Sequence, residues 1–132
     1  MSLANKPAAG TEGFSPEFRL HYPWEYRKFF GGAEVFRASE CLLFRIPNTW
    51  GHYRVGITLK SRGNSVARNR VKRRIREAFR RLGPVLGPFD YNVVVPSQKK
   101  MDHLYAQRLA KCLAEQVPGL LAAGGRPARA KS

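Results

Sequence analysis

Between Val66 and Leu82 the chain is suited to one kind of local structure. Ala67, Val71, Ile75, Ala78, Phe79 and Leu82 recur at spacings of three and four, as the buried stripe of an amphipathic helix requires. At about 100° per residue the six fall in an arc of about 120°, and bases occupy most of the remainder. Asn64 or Ser65 can cap the start, and Gly83-Pro84 ends the run. One face of helix 66–82 must therefore pack, while the rest displays charge.

That charge is poorly placed for stability. Arg68 and Arg70 occupy the first turns, where the helix macrodipole is already positive and each cation costs about 0.3–1 kcal/mol. Lys72, Arg73, Arg74 and Arg76 add like-charge repulsion, and only Glu77 offers relief within the helix. A helix N-terminus with open amides and flanking arginines is instead suited to phosphate. Asn69 adds an amide able to donate and accept at a base edge or a ribose hydroxyl.

The surroundings agree. The whole chain has 24 Lys+Arg against 9 Asp+Glu, a net charge of +15 on 132 residues. From Cys41 to Arg76 there is no carboxylate, yet that stretch holds ten bases, with Arg45, Arg54, Lys60 and Arg62 preceding the six on the helix. Arginines outnumber lysines sixteen to eight, and the planar guanidinium favours bidentate phosphate contacts and stacking on bases. Nucleic acid is the partner this predicts. A lipid surface fits less well, because the apolar stripe suits packing on a sheet and leaves little bulky surface to insert.

Other classes are disfavoured. No apolar run approaches the roughly 18–20 residues that span a bilayer, and no secretory leader opens the chain. Cys41 and Cys112 fit no metal-ligand spacing and make no disulfide framework, which points to a reducing cytoplasm. His21, His52 and His103 form no ligand pattern with each other or with cysteine. Paired carboxylates, a nucleophile elbow and a Gly-rich phosphate loop are all missing, so no catalytic or metal-binding residue is assigned to the protein itself. Glu77 and Asp90 stand isolated in the sequence and read as structural.

A coarse pass gives one domain. Residues 1–13 read as a flexible arm. Pro23 starts a helix of about two turns that Gly31-Gly32 stops, with Tyr26 and Phe30 four apart on one face. Extended segments follow at 34–38, 41–46 and 53–60; the last alternates apolar odd positions with polar or glycine even ones. After the basic helix comes strand 89–95, stopped by Pro96, and a last helix capped by Asp102 and ended by Pro118-Gly119. The organisation is thus a 14–118 RNA-binding domain and a 119–132 disordered basic tail. The order α-β-β-β-α-β-α predicts an α+β fold, a two-layer α/β sandwich with a four-stranded sheet whose helices pack mainly on one face. Segments 53–60, 66–82 and 89–95 form a βαβ connection.

These residues also resemble a known family. Gly56-Ile57-Thr58-Leu59, then Gly63-Asn64-Ser65-Val66-Ala67-Arg68-Asn69-Arg70-Val71-Lys72-Arg73-Arg74-Ile75-Arg76-Glu77-Ala78-Phe79-Arg80, is similar to the signature of bacterial ribonuclease P proteins. Phe14, Glu17, Arg19, Leu20, Pro23, Tyr26 and Phe30 match upstream, and the likeness covers residues 14–117. Two departures are visible. Lys60-Ser61-Arg62 is one residue shorter than the family's basic loop, and Tyr22 replaces the small hydroxyl residue that commonly precedes the helix proline.

The resemblance implies a ribosomal-protein domain-2-like superfold with a left-handed βαβ crossover. It further implies a subunit that, with a catalytic RNA, removes the 5′ leader of precursor tRNA, using magnesium held by RNA and substrate. Lys60, Arg62, Arg68, Asn69, Arg70, Lys72, Arg73 and Arg76 are then the catalytic-RNA contacts. Tyr26, Phe30 and Phe44 match aromatic positions along the leader cleft, where rings can stack unpaired bases with little sequence preference. No obligate protein partner and no membrane are implied. The alternative reading is a ribosomal or ribosome-associated RNA-binding protein without a processing role.

Overall fold

A computed structural model describes residues 16–127. The chain runs through helix α1 (Pro23–Arg27), strands β1 (Glu34–Arg37), β2 (Leu42–Pro47) and β3 (Arg54–Leu59), helix α2 (Ser65–Leu82), strand β4 (Phe89–Val95), helix α3 (His103–Ala123) and the short β5 (Arg126–Pro127). The first four strands fall within one residue of their expected bounds. Strand β4 is buried along nearly its whole length, because it has strand neighbours on both edges and packed structure on both faces. The sheet order is β3-β4-β2-β1-β5. Strands β3 and β4 are parallel, joined through α2, and every other pair is antiparallel.

The main core lies on one face of the sheet. Leu43, Val55, Tyr91, Val93 and Val95 meet Val71, Ile75 and Phe79 of α2 and Tyr105, Leu109, Leu113 and Val117 of α3. Phe79 stands edge-on to Tyr91 with centroids 5.5 Å apart. Burying side chains of this size stabilises by about 1.5–3 kcal/mol each, and α2 is held by its stripe rather than by its charge pattern. Asn64 caps α2 as expected, its Oδ1 accepting from the Ala67 amide at 2.8 Å.

The other face of the sheet is covered in part by α1. Leu20, Phe29 and Ala33 form a second small core, with Tyr26, Phe44 and Ile46 packed against it. The even positions of β3 therefore do not face solvent: Arg54 and Gly56 are buried beneath this layer.

Three expectations are corrected. α1 is α-helical only to Arg27, and Lys28–Gly31 tightens into a 3-10 turn. With about three residues per turn, the residue stacked on Tyr26 is Phe29, which is buried, and Phe30 swings out. α3 does not end at Pro118-Gly119 but continues to Ala123, because Leu120 and Leu121 pack on the main core and carry the helix past the proline. Finally, the segment expected to be a disordered tail from 119 includes that last turn and β5, which pairs Arg126 with Val35 and Pro127 with Glu34. The arm 1–13 and residues 128–132 lie outside the described residues.

Candidate nucleic-acid interface

Helix α2 divides its bases between two flanks. On helical geometry, Arg68, Asn69, Lys72, Arg73 and Arg76 lie on one side of the buried stripe, and Arg70, Arg74 and Arg81 on the other. The second flank borders a groove of about 360 Å³ toward α3, lined by Arg74, Glu77, Arg81, Ala110 and Ala114 among others. Glu77 belongs to this side, 3.2 Å from Arg81 and 3.9 Å from Arg80. The first flank carries no acid, which leaves it the stronger attractor of a polyanion.

The loop before α2 extends this surface. Ser61 is buried, its hydroxyl donating to the Lys99 carbonyl, while Lys60 and Arg62 on either side are exposed. The shortened loop thus still presents two cations. Arg68 folds back, Nη1 donating to the Ser61 carbonyl at 3.0 Å, so it orders the loop as well as charging it. Asn69 and Arg73 are exposed; Arg70, Lys72 and Arg76 are half-buried.

Not every base of the carboxylate-free stretch is available. Tertiary contacts bring acids to two of them. Arg45 binds Glu34 at 2.6 Å and lies over the rings of Phe36 and Phe89. Arg54, nearly buried, grips Asp90 with Nε and Nη2 at 2.9 and 2.8 Å and reaches Glu25 with Nη1 at 2.9 Å. The other eight, all between Lys60 and Arg76, form no ion pair among the described residues.

The Arg54 cluster fixes α1 to the sheet. Lys28 and Asn48 complete the shell of Asp90 at 2.6 and 2.8 Å. Burial pushes the Asp90 carboxyl up, but the hydrogen bonds from Arg54, Lys28 and Asn48 outweigh it and hold it below its ordinary value. Glu25 is likewise raised by burial and lowered further by the amides of His21 and Tyr22 and by Arg54, with a net fall. Its Oε1 accepts those amides at 2.6 and 3.0 Å, which supplies from inside the helix the cap that Tyr22 lacks. Sequence reasoning missed this network. Its one signal was an aspartate that shares with Asn92 the even face of a strand whose odd positions are apolar.

With α1 so anchored, the half-buried Val35, Phe44 and Thr58 flank it on this face of the sheet. Across the sheet, Val35, Phe44, Asn92 and Gly56 stand in one row, and Thr58 donates to Asn92 Oδ1 at 3.1 Å. Tyr26 lies directly over Gly56, its ring edge and hydroxyl filling the space a β-carbon there would take. Phe44 is half-buried and faces the first helix, packing with Tyr26 against the small core. Phe30 is not brought into that cluster and stands 72% exposed.

Arg76 reaches the electrostatic neighbourhood of Tyr26 and Arg19, and burial, then Arg19, lowers its pKa. Arg76 thus brings positive charge toward Tyr26 from the acid-free flank of α2. Among the described residues no three His, Cys, Asp or Glu side chains converge as metal ligands, and no helix is long and apolar enough to cross a membrane.

An α+β sandwich whose basic flank forms no ion pair among the described residues defines an RNA-binding class of domain. The chain belongs to the Ribonuclease P family, whose model matches residues 14–118. It is 31% identical over 111 residues to the ribonuclease P protein component of Nitrosococcus oceani, covering 83% of this chain and 92% of that one. Identity to the protein component from Exiguobacterium is 33% over 79 residues, or 59% of this chain and 69% of the relative. The fold is that of the Staphylococcus aureus RNase P protein, with a TM-score of 0.61 at 19% identity over 80% of this chain and 94% of that one. The Thermotoga maritima RNase P protein aligns with a TM-score of 0.56 at 22% identity, covering 80% and 92%. Membership decides between the two RNA-binding readings, in favour of tRNA 5′-end processing.

Proposed function

We propose that this chain is the protein subunit of a cytoplasmic ribonuclease P that positions precursor tRNA for a catalytic RNA. Lys60, Arg62, Arg68, Asn69, Arg70, Lys72, Arg73 and Arg76 bind the catalytic RNA, chiefly through phosphates. Tyr26, Phe30 and Phe44 receive the 5′ leader, with ring faces that accept any base. What supports this reading is the positive charge that Arg76, on the acid-free flank of α2, brings toward Tyr26. A strand leaving Tyr26 passes onto the basic flank, so leader and catalytic RNA are held side by side.

The protein's own part is binding and orientation. The two carboxylates buried among the described residues, Glu25 and Asp90, are saturated by Arg54, Lys28 and backbone amides. They cannot move a proton or hold a metal without dismantling the α1 anchor. Magnesium is therefore assigned to RNA and substrate, and no step is assigned to a protein side chain. The test uses rigorously RNA-free protein. Alone it leaves precursor tRNA intact, and at moderate magnesium it stimulates the catalytic RNA. Cleavage by the protein alone, abolished by one carboxylate substitution, overturns the non-catalytic role; a catalytic RNA indifferent to the protein overturns the subunit assignment.

A further inference from the structure

The outward side of α1 carries side chains that neither the Arg54 cluster nor the small core uses. Tyr22 and Trp24 are each 57% exposed, and Phe30 is 72% exposed. The Tyr22 and Trp24 rings lie parallel, 5° apart in plane with centroids separated by 6.1 Å. A stacked aromatic pair left in water marks a contact surface. Neither residue is among those that match the family: Tyr22 departs from its pattern, and Trp24 falls between the matched Pro23 and Tyr26.

Helical spacing sets these rings in a row with Phe30. Trp24, Arg27 and Phe30 recur every three residues and all three are exposed, and the 3-10 turn that follows Arg27 preserves the interval. With a rise of about 1.5 Å per residue in the helix and about 2.0 Å in the 3-10 turn, Trp24 and Phe30 stand about 10 Å apart along the axis. That is the height of about three bases stacked at about 3.4 Å.

The charge along the row is positive. Between Phe18 and Ala33 the one carboxylate is Glu25, and it is turned inward, 4% exposed, onto Arg54 and the amides of His21 and Tyr22. Lys28 is paired with Asp90, whereas Arg27 forms no ion pair among the described residues. A second copy of the chain fits this surface poorly, since each carries +15. An unpaired strand of nucleic acid fits both features, stacking bases on the rings and setting a phosphate on Arg27.

We propose that Tyr22, Trp24 and Arg27 form an outer subsite for the 5′ leader, taking the nucleotides upstream of those held at Tyr26, Phe30 and Phe44. The inference rests on the reading of those three rings as the leader site. The strand passes Phe30 and runs back along the outer side of α1, where about three further bases are held. Ring faces accept any base, so the subsite adds affinity according to leader length and not leader sequence.

The test uses the holoenzyme, reconstituted with its catalytic RNA, and precursor tRNAs whose leaders are lengthened one nucleotide at a time. With the unaltered protein, affinity rises first as the inner rings fill, rises again as the outer subsite fills, and then levels off. Trp24→Ala and Tyr22→Ala keep the first rise and lose the second, so the longest leaders bind about tenfold more weakly. Trp24→Phe keeps a ring and restores most of that loss. Arg27→Ala flattens the plot of log K against log salt by about 0.7 for long leaders only. All four side chains of these variants are exposed or replaced by a ring, and melting temperatures stay within about 3 °C of the unaltered protein. Identical rises in the unaltered and Trp24→Ala proteins overturn the outer subsite alone, as does a loss equal at every leader length. Affinity that ignores leader length in every protein overturns the leader reading itself and the subsite with it. Self-association that Trp24→Ala abolishes, with long leaders still bound normally, gives the rings to a second copy and overturns the proposal.

Discussion

The ring of Tyr26 lies so close over Gly56 that a β-carbon there would stand 2.5 Å from Cε1 and 2.6 Å from the phenol oxygen. Leu20 closes the same space at 2.7 Å. Glycine in a strand ordinarily weakens it, and here it is what allows the aromatic side chain to lie flat against the sheet.

Gly56→Ala should therefore act through Tyr26. The overpacking costs about 1–3 kcal/mol and lifts the ring off the sheet. Thermal unfolding and affinities for precursor and mature tRNA should be measured together. The expected outcome is a lower melting temperature with a further loss confined to the precursor. Normal melting and normal discrimination would show that the ring has no part in leader binding.

Phe30→Ala is the cleanest probe of the leader site. Its side chain is exposed, so stability should change by no more than about 0.5 kcal/mol, while a lost stacking contact weakens precursor tRNA by about 1–3 kcal/mol. Phe44→Ala differs, since Phe44 also packs on the Leu20–Phe29–Ala33 core and its removal lowers stability as well as precursor affinity. A Phe30 variant with unaltered precursor affinity takes that ring off the substrate path.

On α2, Arg73→Ala and Arg70→Ala should reduce affinity for the catalytic RNA while leaving the fold intact. Each lost phosphate contact flattens the plot of log K against log salt by about 0.7–0.9. Arg68→Ala should add a stability loss of about 1–2 kcal/mol, because the Ser61 carbonyl loses its guanidinium donor. Salt titrations of the three variants beside urea unfolding separate these effects. Equal stability loss in all three contradicts the assignment of the loop bond to Arg68.

The Arg54 cluster predicts the acid limb of stability. Asp90 and Glu25 both have folded pKa values below their ordinary 3.8 and 4.5. Their contribution is therefore complete above those values and is lost as pH falls through the lower, folded ones. Stability should stay level from neutrality to about pH 5 and then decline. Arg54→Met strands two buried carboxylates, costs about 3–5 kcal/mol near neutrality, and reverses the acid limb because the carboxylates then gain from protonation. An acid limb identical in the variant rules out this cluster as its source.

Much of this molecule is legible along the chain. The stripe of α2, the Asn64 and Asp102 caps and the alternation of β3 are local patterns, because side-chain periodicity follows directly from helix and strand geometry. The Arg-Asn-Arg opening of α2 is equally local. What could not be read there was which cations remain available. Arg45 and Arg54 look identical in sequence to Arg62 and Arg73, and only long-range pairing with Glu34, Glu25 and Asp90 removes them from the surface.

The sequence alone determined the four main strands, the three helices in outline, their order and the excess of positive charge, because each depends on neighbours within a few residues or on a simple count. Tertiary structure decided the rest. A 3-10 turn exchanged Phe29 for Phe30 in the layer beneath α1, since a tighter turn rotates every later side chain. Packing of Leu120 and Leu121 carried α3 past Pro118, since burial outweighed the lost backbone donor. Parallel pairing of β3 with β4 aligned Arg54 with Asp90 and Gly56 with Asn92, which anchored α1 and left room for Tyr26 over the sheet. Contacts of this kind join residues tens of positions apart, and no periodicity along the chain encodes them.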